Sequence, residues 1–161
     1  MEKMQDLKIL KKEYEKFRKK YGLPKFKDMN QDFEIEKLQG RESEFLLREI
    51  RRCMIEKNVS YFKVIEMFMN PSNAPLIFLA LIKNMNHIER KLLEELYYKL
   101  GKNEILSLKL DNQSDEKEEA KFIKRFFKEW QGIKNKFGEI LTCIEKSWEK
   151  KAEKKEKGYL G

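Results

Sequence analysis

Ile123, Phe126, Trp130, Ile133, Phe137, Ile140 and Ile144 recur at steps of three and four residues without a break. An α-helix turns once in about 3.6 residues, so all seven share one face. The pattern commits the C-terminal part of the chain to one long amphipathic helix, from about residue 115 to 156, opened by the capping pair Asp115 and Glu118. Phe127, Leu141 and Trp148 widen the stripe by one position. A two-helix seam shows only the narrow stripe, so the wide one requires a bundle of three or more helices.

The rest of the chain can be read against that helix. Leu7, Leu10, Tyr14, Phe17 and Tyr21 share a face of a helix from about residue 3, which Gly22 and Pro24 end. Phe26, Met29, Phe33, Ile35 and Leu38 predict a short helical turn followed by an irregular stretch. Glu42 to Met69 reads as one long helix or two in series, with a bend near Asn58 to Ser60. Its expected inward set is Phe45, Leu46, Ile50, Cys53, Met54, Phe62, Ile65 and Phe68. Asn70-Pro71-Ser72-Asn73-Ala74-Pro75 marks a tight corner between helices. Leu76 to Ile82 is an unbroken apolar run, which predicts a helix surrounded on all sides at the centre of the bundle. Asn86 and Glu89 have capping-box spacing ahead of a helix carrying Ile88, Leu92, Leu93, Leu96 and Tyr97, which Gly101 is expected to end. Asn103 to Leu110 fits either a short helical turn or an extended connector.

A length of 161 residues suits one domain, and three prolines with seven glycines are too few to punctuate many short strands. The expected fold is an all-α, single-domain bundle of five or six helices over residues 1–150. Residues 151–161 follow as a charged, frayed tail. Gly132 and Gly138 stand inside the last helix, where each costs about 1 kcal/mol relative to Ala. Close packing is the expected compensation.

Catalytic chemistry finds few carriers. His87 is the one histidine and sits beside the capping Asn86, so neither a nucleophile–base pair nor a Glu-x-x-His di-metal site can be assembled. Cys53 and Cys143 stand far apart, without the close spacing of a zinc site. No Gly-rich phosphate loop occurs. Glu94 with Glu95, and Glu118 with Glu119, read as solvated helix surface. No enzymatic activity, cofactor, metal or small-molecule substrate is expected. No apolar run approaches the roughly 20 residues that span a bilayer, and lysines interrupt the opening segment. A cytoplasmic setting without a membrane partner follows as the expectation.

The net charge of +8 is concentrated at the two ends, while the middle is nearly neutral. Lys8, Lys12, Lys16 and Lys20 recur every four residues, and Lys117, Lys121, Lys124, Arg125 and Lys128 cluster opposite the apolar stripe of the last helix. Such faces suit phosphate-backbone contact with nucleic acid, without base reading. Tyr14, Phe17, Phe126 and Trp130 lie in the core stripes, so no stacking platform for single strands is indicated. Phe127, Leu141 and Trp148, with Met67, Met69 and the Pro71 corner, are the candidate apolar contact surface for a protein partner or self-association. The leading expectation is a non-catalytic protein-interaction or assembly module; the alternative is backbone-led, non-sequence-specific nucleic-acid binding.

Tyr21-Gly22-Leu23-Pro24 with Phe26 and Asn30 to Ile35, the run Leu46 to Arg52, and the corner Asn70 to Pro75 resemble small all-helical archaeal proteins of unknown function. The resemblance covers about half of the chain and rests on structural corners. It implies a cytoplasmic setting and carries over no functional residue.

Overall fold

The computed structural model describes residues 2–41, 43–113 and 115–159, and every regular element among them is helical. The α-helices are α1 (Glu2–Tyr21), α2 (Phe26–Phe33), α3 (Leu46–Met69), α4 (Leu76–Lys83), α5 (His87–Asn112) and α6 (Glu116–Tyr159), with short 3-10 turns at Ile35–Leu38 and Pro71–Asn73. The expected all-α class with a long C-terminal helix holds. Among the described residues no helix is long and apolar enough to cross a membrane. Contacts group the chain into two compact units: Met1–Val59 with Lys102–Trp130, and Ser60–Gly101 with Gln131–Gly161. The boundaries fall inside α3, α5 and α6.

In the first unit, α1 ends at Gly22, whose φ of +65° is the left-handed conformation a glycine adopts without strain. The Gly22 and Leu23 amides donate to the Arg18 carbonyl at 2.8 and 3.2 Å, closing the helix end. The Tyr14 hydroxyl donates to the Pro24 carbonyl at 2.8 Å and so fixes the turn that follows. Phe33, Phe126 and Trp130 then meet in one buried aromatic cluster, with ring centroids 5.4–5.7 Å apart. Fully burying each such side chain contributes about 1.5–3 kcal/mol. Glu42, where the third helix was expected to begin, lies outside the described residues; α3 starts at Leu46 and is one continuous helix to Met69, the first of the two expected alternatives. Phe45, expected inward, precedes the helix and is 57% exposed, with the Arg48 guanidinium 4.8 Å from its ring centre.

The inward positions of the first unit also carry charge. Arg51 is fully buried, and its Nε and Nη2 both donate to the Glu119 carboxylate, at 2.6 and 3.2 Å. Nη2 also donates to Asp111 at 2.6 Å, and Nη1 to the Ser107 carbonyl at 3.1 Å and to its hydroxyl. Burial opposes the charge on Arg51, but the hydrogen bonds to Glu119 and Asp111 outweigh it and hold its pKa above the ordinary value. One turn before Ser107 on α5, Asn103 donates to the buried Asn58 side chain at 3.3 Å. Glu119, read from sequence as solvated surface, is instead 2% exposed, because it is the counter-charge of Arg51.

In the second unit, Ile65, Phe68, Leu93, Leu96, Leu100, Ile133, Phe137 and Ile140 form the core. Tyr61 stacks on Phe137 with centroids 4.1 Å apart, and Phe62 on Tyr97 at 5.1 Å. The capping box forms as its spacing requires: the Asn86 amide donates to Glu89 and the Glu89 amide to Asn86, both at 2.9 Å. Gly101 does not end this helix, since α5 continues to Asn112. The inward series Leu93, Leu96, Leu100, Asn103 and Ser107 runs straight through it, and that burial overrides the glycine's preference. Asn103 to Leu110 is therefore helix. A second correction concerns α4: of its residues only Leu81 is buried, and Leu76 is 84% exposed, so α4 is not the enclosed centre of a bundle. Gly132 and Gly138 have open space where a Cβ would stand, so close packing is not their compensation.

Candidate functional site

Pro75 has the extended backbone that precedes a helix, and its carbonyl accepts the first intrahelical bond of α4, from the Phe78 amide at 2.9 Å. The helix that follows has eight residues and no acidic side chain. Its inner side is fixed by buried Leu81 and by Phe78, which sets its ring edge-on against Phe68 at 5.4 Å. Leu76 and Ala80 then lie on the side away from Phe78, with Ile77 on the flank between them and Leu81. Leu76, Ile77 and Ala80 line a groove of about 640 Å³ whose second wall is the end of α6, namely Trp148, Lys151, Ala152 and Lys155.

Trp148, Lys151, Ala152 and Lys155 follow helical spacing, so they form one continuous strip of α6. The floor of the groove is apolar. Leu76 is 84%, Ile77 44% and Trp148 50% exposed. The charged groups lining it are both lysines, so the lip of the groove is positive. Residues 149–158 are helical and stand exposed, apart from half-buried Lys151.

Of the three sequence-predicted contact residues, Trp148 lines this groove. Leu141 is exposed two turns earlier on α6, outside the lining, and Phe127 is half-buried within the first unit. The three do not form one site. Met67 is half-buried, while Met69 is exposed and lines a different hollow with Ile82, Met85, His87 and Arg90. Leu76, Ile77 and Ala80 were missed, because an apolar run read alone gives no sign of which side stays open.

The predicted basic residues all belong to the first unit. Lys8, Lys12 and Lys16 are exposed along α1. Lys20 donates to Glu116 at 2.8 Å, and the Tyr21 hydroxyl donates to the same carboxylate oxygen. These bonds raise the Lys20 pKa and lower that of Glu116. On α6, Lys117, Lys124 and Lys128 are exposed, Lys121 pairs with Glu118 at 2.6 Å, and Arg125 is half-buried with its guanidinium 5.2 Å from the Phe122 ring centre. Asp115 caps α6 by accepting from the Lys117 amide at 3.2 Å. Lys124 Nζ comes within 3.8 Å of where a Gly22 Cβ would stand, so the two basic patches meet at the end of α1.

The thiols are unpaired and differ in setting. Burial pushes the Cys53 thiol up to about 11, and Cys143 is raised by burial and by a hydrogen bond with Glu89. His87 is exposed at the start of α5, as its place beside Asn86 predicts. Comparison of the chain with protein-family models, with curated proteins and with solved structures finds no match in any of the three.

Proposed function

We propose that the chain is a protein-binding module that seats an amphipathic helix, apolar on one face and acidic along its flanks, in the groove between α4 and the end of α6. The observation that carries this reading is Leu76 and Trp148 standing exposed across one apolar groove. Helix-in-groove recognition uses such a floor, and a tryptophan in its wall is the type of residue that dominates binding energy. Lys151 and Lys155 on the lip select for acidic flanks. The same groove of a second copy would bring those lysines against themselves, which disfavours a symmetric dimer through this face.

The test is a pair of synthetic helical peptides with identical leucine stripes, one flanked by Glu and one by Lys. Trp130 is buried, so a change in tryptophan emission reports on Trp148. The Glu-flanked peptide is expected to bind, and Trp148→Ala, followed by calorimetry, to weaken it by about tenfold or more. Equal binding of both peptides, or of neither, sinks the reading. Backbone-led nucleic-acid binding is the second reading, favoured by exposed Lys8, Lys12 and Lys16 with Lys117, Lys124 and Lys128. Failure of the peptides together with duplex binding that collapses with salt would put it first.

A further inference from the structure

The C-terminal half of α5 and the first turns of α6 enclose a second hollow, of about 290 Å³, within the first unit. Leu106, Leu110 and Phe122 give it apolar walls, and Lys109, Lys121 and Arg125 surround it with positive charge. Glu118 also lines it but is engaged with Lys121, so a positive excess remains. Arg48 and Arg125 of this unit keep enclosed donors without a hydrogen-bond partner among the described residues, and of the two Arg125 lines this hollow. Arg18, Arg51 and Arg52 each meet a carboxylate, whereas Arg125 Nε and Nη2 are shielded from water with no hydrogen-bond partner among the described residues. The Phe122 ring contact engages the face of the guanidinium and leaves its in-plane donors unmet.

We propose that this hollow binds a small organic oxyanion, a phosphate or carboxylate head on an apolar body. Unmet guanidinium donors are what such a head satisfies, through paired charge-assisted hydrogen bonds formed as the side chain turns toward it. Lys109 adds charge that no lining carboxylate is seen to engage, and the leucine and phenylalanine walls take the body. The volume lies at the small end of ligand pockets, which limits that body to about one ring or a short chain. This site is independent of the α4–α6 groove.

Titration of the full chain with phenyl phosphate, benzoate and inorganic phosphate at low salt, followed by calorimetry and amide chemical shifts, tests it. The expected result is binding of phenyl phosphate or benzoate, tighter than inorganic phosphate, with shifts centred on residues 106–125. The first two probes distinguish a phosphate from a carboxylate head. Arg125→Gln and Lys109→Glu should each weaken binding by about tenfold or more. Lys109 is exposed, so that variant keeps the test available should Arg125→Gln fail to fold. No binding of either organic anion, binding no tighter than inorganic phosphate, or affinity unchanged in Lys109→Glu would overturn the proposal.

Discussion

The first unit encloses a charged network, and in the second α4 leaves an apolar groove wall open; single apolar side chains such as Phe45, Ile105 and Leu108 stand exposed in the first unit as well. In the first, Arg51 is enclosed and its donors are met by Glu119, Asp111 and Ser107 from within the unit. In the second, α4 offers eight residues of high apolar content and buries only Leu81. For a side chain as fully enclosed as Arg51 the counter-charge comes from the chain itself, because a charge removed from water is costly to leave unmet, whereas half-buried Arg125 borders an open hollow. An open apolar face carries no such requirement and can be completed by a partner. The difference is between an interior completed within its unit and an apolar face left open.

The sharpest way to break this comparison is Arg51→Ala. It leaves the Glu119 carboxylate buried without its counter-charge, and the expected loss is about 3–5 kcal/mol by urea denaturation. Arg51→Met with Glu119→Leu removes both charges and should recover most of that loss, since a well-packed apolar pair of similar volume is often neutral or stabilising. A loss below about 1 kcal/mol for Arg51→Ala would mean that water reaches the network, and the contrast between the units would fail.

Smaller and opposite in sign is the effect expected in the second unit. Gly132 and Gly138 lie within α6 with open space at the Cβ position and no positive φ. Ala at either site removes the glycine's conformational entropy without a clash, so each substitution should stabilise by about 0.5–1 kcal/mol, read from the thermal midpoint. Destabilisation by either would show that the helix uses that glycine for something its neighbours do not reveal.

These positions also show how far the sequence could be read. The α6 stripe, the Gly22 terminus and the Asn86–Glu89 box were legible because each is a local rule expressed in side-chain type. The path of α5 past Gly101 was not, because its inward positions 103 and 107 are Asn and Ser, which break an apolar periodicity while keeping helical spacing. Arg51 and Asn58 sit on the inward register set by Leu47 and Met54, so polar residues in core register on α3 and α5, with Glu119 on α6, were the available signal. Trp148 was found as the residue where the stripe runs out. Its partner wall on α4 was not, because an apolar run without polar marks carries no information about which face is open.

The smallest effect concerns acid. The hydrogen bond from Arg51 holds the Asp111 carboxyl below its ordinary value of 3.8, aided by the charges of Arg51, Arg52 and Arg48. The unfolded chain therefore takes up this proton at a higher pH than the folded chain. The contribution to stability is present in full above the unfolded value, and it is lost as pH falls through the folded one. Glu116, lowered by its bonds from Lys20 and Tyr21, acts in the same direction. Asp111 is 41% exposed, so solvent screening limits its share to about 1 kcal/mol or less. Stability measured by circular dichroism should decline below about pH 4, and Asp111→Asn should make that decline shallower. An unchanged acid profile in Asp111→Asn would assign the loss to other carboxylates and restrict the charged interior of the first unit to Arg51 and Glu119.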